Sequence, residues 1–97
     1  MAVSAISCSV ELYGVARLAA GTSAVALSLP QDATLRDALA ALARERPALV
    51  GKVLDEAGGG LLEGYTLNVN GAAFVADLGA PVREGDAVLV LSAEAGG

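Results

Sequence analysis

A single amphipathic helical segment near the middle of the chain is the feature that most restricts its fold. Thr34 begins the segment, and Asp37 three residues later forms an imperfect capping box with it. Four apolar residues then recur at the spacing of one helix face: Leu35, Ala38, Leu39 and Leu42. Pro47 ends the segment, because proline disfavours helical backbone at the residue before it. A helix with one apolar face must bury that face against another layer of structure.

Two alternating segments before this helix predict a pair of strands. The first places apolar residues at every second position: Ile6, Cys8, Val10 and Leu12. The second repeats the pattern before Pro30: Val25, Leu27 and Leu29. Residues 14–23 contain two glycines and are predicted to be a turn. The two strands should therefore form a hairpin, with Cys8 on its buried face.

The segments after the helix predict a short helix and three further strands. Residues 48–56 are expected to be helical, and the triple glycine at 58–60 is expected to be a surface loop. Apolar residues alternate through a strand that ends at Asn70-Gly71, a strong hairpin-turn signal: Tyr65, Leu67 and Val69. Residues 72–75 should form its short partner. Residues 87–91 are apolar throughout, which predicts a last strand that is central and buried.

The order of these elements predicts an α+β fold. A sheet of four or five strands would carry the main helix across one face. If the first and last strands are neighbours after the crossover through the helix, they must run parallel, which makes the sheet mixed. This arrangement is the ubiquitin-like β-grasp. We predict one domain over residues 1–91 and a flexible tail over residues 92–97.

Composition excludes several classes of function. The chain has 11 acidic and 6 basic residues, no histidine and a formal net charge of -5, the wrong sign for binding a phosphate backbone. Aromatic residues make up only 3% of the chain, which leaves no platform for base stacking. We therefore expect no nucleic-acid partner. The carboxylates show no pattern of a perturbed acid–base pair, so we predict no catalytic residue of the chain's own.

Cysteine content and hydropathy point to a cytoplasmic protein. Cys8 is the single cysteine, which rules out an intramolecular disulfide framework and a cysteine-rich metal site, and we expect no bound metal. The longest uncharged stretch, residues 18–31, is too short to cross a bilayer as a helix. Residues 1–10 carry no basic residue and do not resemble a secretory signal. We therefore expect a soluble protein with no membrane partner.

The sequence ends in Gly96-Gly97, shortly after the last predicted strand. Two glycines can adopt backbone angles closed to other residues and can enter a channel too narrow for side chains. The residues after Leu91 could extend by roughly 20 Å. Such a tail suits the active site of another enzyme, with the carboxylate of Gly97 as the reacting group. A frayed, chemically inert chain end is the alternative.

Several segments together resemble the MoaD/ThiS-type family of small sulfur carriers, which includes the small subunit of molybdopterin synthase and the thiamine sulfur carrier. The segments are residues 10–14 (VELYG), 34–39 (TLRDAL), 67–71 (LNVNG) and 81–88 (PVREGDAV), followed by Gly96-Gly97. The resemblance covers nearly the whole chain. Residues 92–95 (SAEA) depart from it, because many relatives have prolines there. Residues 49–64 resemble longer members, some of which serve cysteine synthesis or behave as archaeal protein modifiers.

The resemblance implies a defined chemistry at the tail. In this family a ubiquitin-activating-type adenylyltransferase uses ATP to adenylate the terminal glycine. A sulfurtransferase or another sulfur donor then converts the adenylate to a thiocarboxylate, and an accepting enzyme takes the sulfur. Gly97 would carry the sulfur, Gly96 would let the tail thread, and the chain itself would bind no cofactor. The resemblance favours molybdopterin biosynthesis, with the large subunit of molybdopterin synthase as the acceptor.

Other readings stay open at this point. The sulfur could serve cysteine or thiamine biosynthesis, or the activated Gly97 could be joined to lysines of target proteins as a ubiquitin-like modifier. A third reading is an interaction module with an inert tail. For any of them Phe74 is the candidate docking side chain, because strand alternation assigns Tyr65 to the core more readily than Phe74.

Overall fold

The chain folds into a five-stranded mixed sheet with one main helix across one face. The computed structural model describes residues 5–56 and 59–92. The elements, in chain order, are β1 (Ala5–Leu12), α1 (Val15–Ala20), β2 (Ala24–Pro30), α2 (Leu35–Glu45), a 3-10 turn (Pro47–Leu49), β3 (Tyr65–Val69), β4 (Ala73–Val75) and β5 (Ala87–Ser92).

The sheet topology places the last strand at the centre. The strands lie in the order β2-β1-β5-β3-β4. β1 runs antiparallel to β2 and parallel to β5, and β3 runs antiparallel to both β4 and β5. A parallel pair of neighbouring strands requires a crossover, which α2 supplies. The predicted ubiquitin-like β-grasp is therefore confirmed.

Helix α2 begins with a complete capping box. The Thr34 hydroxyl oxygen accepts a hydrogen bond from the Asp37 backbone N–H at 3.3 Å, and the Asp37 carboxylate accepts one from the Thr34 backbone N–H at 2.8 Å. Two of the unpaired N–H groups at this helix end are thereby satisfied. The buried face of the helix consists of Leu35, Ala38, Leu39, Ala41 and Leu42.

The core between α2 and the sheet is built from small and medium aliphatic side chains. Alternate residues of β1 and β2 point into it, as the period-two pattern predicted. Cys8 is 5% exposed and packs among them as a small apolar side chain. The pair at the centre of β5, Val88 and Val90, is fully buried.

The predicted turn between β1 and β2 is wrong, although their antiparallel pairing is confirmed. The connection contains α1, which Gly14 precedes and Gly21 ends with a left-handed φ of 74°. Glycine reaches this conformation without a steric penalty and commonly ends helices. Only Ala16 and Ala20 of α1 are buried, so the segment lacks the apolar stripe that would have identified a helix.

The predicted short helix over residues 48–56 is also wrong beyond its first turn. Gly51 has a φ of 84°, which right-handed helix does not allow. The following backbone instead forms isolated bridges, from Val50 to Leu54 and from Leu54 to Leu61. The apolar residues of this loop, Leu49, Val53 and Leu54, are nevertheless fully buried. The loop therefore closes one end of the core.

The prediction that β5 is a central strand is confirmed, but the prediction that it is buried holds for only one of its two faces. β5 is central, but only its α2 side is buried, while Leu89 and Leu91 on the other side are half-buried. In the described ranges no helix covers that second face. The uninterrupted apolar sequence of β5 therefore supplies a core face and a partly exposed face.

Candidate functional site

Strand β5 leads the chain out from the middle of the sheet. Its last residue, Ser92, pairs with Tyr65 at the start of β3, and Val90 pairs with Leu12 at the end of β1. Both neighbouring strands thus hold β5 close to its end. Gly96 and Gly97 follow within a few residues but lie outside the described part of the chain, so their assigned roles stay predictions.

The sheet face opposite α2 carries a row of side chains that we call the outer patch. Phe74 of β4 pairs with Asn68 of β3, and Asn68 pairs in turn with Leu89 of β5. Leu91 pairs with Thr66 in the next row toward the tail. Because residues opposite each other in a sheet share a face, these five side chains form one surface.

Phe74 is the most exposed member of the outer patch, with 68% of its surface accessible. The sequence placed this residue outside the core, and its exposure agrees with that placement. Tyr65 lies on the opposite face, half-buried and packed against the core. An exposed phenylalanine beside two half-buried leucines offers apolar area to a partner protein. Its docking role remains a prediction.

Asn68 is the member of the outer patch that the sequence reasoning did not select. It is only 7% exposed, and its side-chain oxygen has no hydrogen-bond partner among the described residues. A buried polar group left without a partner costs roughly 1–3 kcal/mol. In the sequence, Asn68 is visible only as an amide side chain between Leu67 and Val69. The strand register is needed to show that Phe74 and Leu89 flank it.

A polar cluster fixes the other end of β5, where the strand begins. The Asn70 side-chain N–H donates to Asp86 at 2.9 Å, and its oxygen accepts from the Ala87 backbone N–H at 2.8 Å. Asp86 also accepts from the Arg83 backbone N–H at 2.9 Å. These bonds tie the hairpin turn of β3 and β4 to the start of β5. The outer patch is therefore held on a rigid frame.

The Cys8 thiol lies in the core below this cluster. Burial raises its pKa above the ordinary value of 9.0, and the carboxylates of Asp86 and Glu84 raise it further. The thiolate, which is the nucleophilic form of cysteine, is therefore disfavoured. Cys8 is a core residue, as its predicted place on the buried face of the hairpin implies, and its environment opposes a role as a sulfur nucleophile.

A second group of exposed apolar side chains lies at the end of the sheet from which the tail departs. Tyr13, Val15 and Leu18 are 45%, 57% and 82% exposed. The Tyr13 hydroxyl donates to the Glu11 carboxylate at 2.8 Å, and this hydrogen bond raises the pKa of Tyr13. The group lies on and before α1, next to β1, whereas Phe74 lies three strands away on edge strand β4.

Over residues 5–56 and 59–92 no three His, Cys, Asp or Glu side chains are placed to hold a metal ion together. The same ranges contain no helix long and apolar enough to cross a membrane.

Comparison with known proteins identifies the family. The model of the ThiS family matches residues 10–97, which includes the end of β1, all of β2 to β5 and the two terminal glycines. The chain belongs to the ThiS family. It is therefore a ubiquitin-like protein of the sulfur carrier and modifier type, and the predicted resemblance is confirmed. A search of curated protein sequences found no match.

Solved structures similar to this ThiS-family chain share its fold over most of their length. A crystal structure of SAMP1 from Haloferax volcanii is 28% identical, with a TM-score of 0.80 over 94% of this chain and 99% of that one. A crystal structure of small archaeal modifier protein 1 from the same organism is 30% identical, with a TM-score of 0.76 over 88% and 94%. A candidate molybdopterin converting factor, subunit 1, from Pyrococcus furiosus is 22% identical, with a TM-score of 0.70 over 90% and 97%, and supports the fold alone.

Proposed function

We propose that this chain is a sulfur carrier whose terminal Gly97 is adenylated by an activating enzyme and then converted to a thiocarboxylate. The observation that carries the proposal is the match of the ThiS family model through Gly97, at the end of a chain that leaves the sheet from central strand β5. Gly96 lacks a side chain, which suits a narrow channel in the activating enzyme.

The proposed reaction consists of two substitutions at the glycine carboxyl group. The Gly97 carboxylate attacks the α-phosphorus of ATP, and pyrophosphate leaves. A donor at the oxidation level of hydrosulfide then attacks the acyl carbon and displaces AMP, which gives the thiocarboxylate. A carboxylate is a poor electrophile, and AMP supplies the leaving group that it lacks. Among the described residues Cys8 is buried as a protonated thiol, so the nucleophilic sulfur would come from the donor.

The outer patch supports the docking half of the proposal. Phe74, Leu89 and Leu91 lie on a sheet face that none of the helices in the described ranges covers, and both leucines belong to β5. A partner covering this face would bury an exposed aromatic ring, the kind of residue that dominates binding energy at interfaces. We propose that the activating enzyme and the sulfur acceptor both bind here, with molybdopterin synthase as the leading acceptor and cysteine or thiamine biosynthesis as alternatives.

A second candidate function is attachment of the activated Gly97 to lysines of other proteins. It is favoured by two crystal structures, 28% and 30% identical to this chain, of proteins named as small archaeal modifiers. The two functions share adenylation and differ in the group that attacks the adenylate. The nucleophile is a sulfur in the first and a lysine amine in the second.

The experiment that tests the proposal traps the thiocarboxylate. The chain is incubated with its activating enzyme, ATP and a sulfur donor, then treated with a thiol-alkylating reagent, and its C-terminal peptide is sequenced by mass spectrometry. We expect an alkyl adduct on Gly97 that requires ATP. The peptide must be resolved because oxidation of Met1 or Cys8 nearly matches the mass change of the oxygen-to-sulfur exchange.

A variant lacking Gly97 is the control, and it also separates the two candidate functions. Isopeptide adducts that appear in cells with the full chain and disappear with the deletion would establish the modifier function. A Gly97 that stays unmodified, while a known carrier is converted by the same enzyme preparation, would contradict the sulfur-carrier proposal.

A further inference from the structure

The outer edge of β2 is the longest unpaired strand edge among the described residues. β2 has seven residues and pairs only with β1, whereas β4 at the opposite edge has three. Proteins usually protect such edges with charges, proline, a bulge or a very short strand. β2 has no charged residue, and its proline is the last residue, Pro30. β4 is protected by its short length, but β2 has none of these protections along most of its length.

The hydrogen-bond pattern of β2 determines which backbone groups face outward. Leu12 donates to Ser23 at 2.9 Å in the same register that pairs Val10 with Val25. Because bonding alternates along an antiparallel pair, residues 23, 25, 27 and 29 bond to β1. The N–H and C=O groups of Ala24, Ala26 and Ser28 therefore point to the free edge. The Thr22 hydroxyl contacts both outward groups of Ala24: it donates to the Ala24 carbonyl at 3.1 Å and accepts from the Ala24 N–H at 3.5 Å. It must turn away before Ala24 can pair with another strand, whereas Ala26 and Ser28 have no such local partner among the described residues.

This edge is complementary to itself. If a second copy lies antiparallel with Ala26 opposite Ala26, then Ala24 lies opposite Ser28, and each pair can exchange two backbone hydrogen bonds. The side chains brought together are small, exposed and uncharged.

Opposite charges flank β2, and the same register brings those of the two copies toward each other. Asp32 follows β2 and is exposed, while Arg17 is exposed and lines a surface hollow with Thr22 and Ser23 at the start of β2. With Ala26 opposite Ala26, Pro30 lies opposite Thr22 and Asp32 faces the end of α1, one helical turn from Arg17 of the other copy, within reach of that long side chain. The two-fold symmetry produces this opposite-charge contact twice, which favours a second copy over an unrelated strand.

We propose that two copies of this chain associate through β2 into one continuous sheet, antiparallel and centred on Ala26. The two-fold axis runs perpendicular to the sheet, so both α2 helices lie on one side and both outer patches on the other. The β5 strands remain away from the contact, because β1 lies between β5 and β2. A single strand pair buries less area than the roughly 1,200 Å² of a stable interface, so a weak dimer with a dissociation constant on the order of 10⁻⁴ M is expected.

The test is sedimentation of the full chain over a concentration series from about ten times below to ten times above this expected constant. We expect a shift from monomer to dimer that Ala26→Lys weakens about fivefold, because like charges would face each other across the axis. Ala73→Lys is the matched control, since it places the same charge on an exposed residue of the other edge strand. Circular dichroism checks that both variants are folded.

A charge exchange tests the register. Arg17→Glu and Asp32→Arg should each weaken the dimer, and the double variant should restore it. The proposal is overturned if the wild-type chain stays monomeric across the whole series, which would leave the edge to a strand of another protein. It is equally overturned if Ala73→Lys weakens the dimer as much as Ala26→Lys.

Discussion

Asn70 shows at the scale of one residue how the sequence determines the frame of the site. Its φ is 59°, a left-handed value that asparagine tolerates better than most residues. The same side chain bonds Asp86 and the Ala87 backbone, so it links the β3–β4 turn to the start of β5. The sequence predicted the turn from Asn70-Gly71. The link to Asp86 depends on a contact sixteen residues away and could not be predicted from local pattern.

Replacing Asn70 should separate its two contributions to stability. Asn70→Gly keeps the turn conformation and removes both side-chain hydrogen bonds, which should lower the free energy of unfolding by about 1–2 kcal/mol. Asn70→Ala should cost about 1 kcal/mol more, because alanine is strained at positive φ. Urea denaturation measures both values. A neutral Asn70→Gly variant would show that the bonds to Asp86 and Ala87 do not stabilise the fold.

Cys8 should make stability depend on alkaline pH. Its pKa is raised in the folded protein, chiefly by burial, so the unfolded chain loses the thiol proton first as pH rises. The contribution of the protonated Cys8 thiol to the free energy of unfolding is therefore complete below the pKa of the thiol in the unfolded chain, about 8.5–9. It is lost as pH rises toward the pKa of the thiol in the folded protein. The free energy of unfolding should fall above about pH 9, and Cys8→Ala should reduce this slope. Equal slopes in the two proteins between pH 8 and pH 10 would contradict this account.

At the scale of elements, sequence pattern predicted best where one face is buried. β1, β2 and α2 each bury alternate or helically spaced residues, and their types and pairing were predicted correctly. α1 was missed because two buried alanines between glycines give no periodic signal. The extra helix over residues 48–56 was predicted because buried apolar residues cluster there, although they belong to a loop that Gly51 turns.

Predicting the outer patch would have required the pairing register of three strands: β3, β4 and β5. Phe74, Asn68 and Leu89 are far apart in sequence, and an error of one residue in any pairing would move one of them to the core face. The sequence selected Phe74 as a docking candidate because it follows a turn. It could not identify Asn68, whose burial results from its neighbours on β4 and β5.

Phe74→Ala should weaken binding of the activating enzyme about tenfold, because exposed aromatic residues commonly dominate interface energies. Its effect on the free energy of unfolding should stay within about 0.5 kcal/mol, since the side chain is largely exposed. Isothermal titration calorimetry measures the first and urea denaturation the second. Leu18→Ala is the control, because Leu18 is equally apolar and 82% exposed but lies on α1. Equal losses of affinity in both variants would argue against docking through the outer patch.

At the scale of the whole molecule, different surfaces of the sheet have different roles. The core side of the sheet packs against α2 and stabilises the fold, the outer patch offers apolar area, and β5 lies at the centre of the sheet. The β2 edge lies at the far side of the sheet from β4. Dimerisation through β2 would therefore leave accessible the outer patch, which we propose as the docking surface for the activating enzyme.

The central claim is that an activating enzyme forms an adenylate at Gly97, and ATP–pyrophosphate exchange tests it most directly. The assay detects adenylation alone, whatever attacks the adenylate afterwards. We predict exchange that depends on the full chain and is lost when Gly97 is deleted, with the deletion variant still folded by circular dichroism. Exchange at the same rate with the deletion variant, or none with the full chain when a known carrier supports it, would contradict the claim.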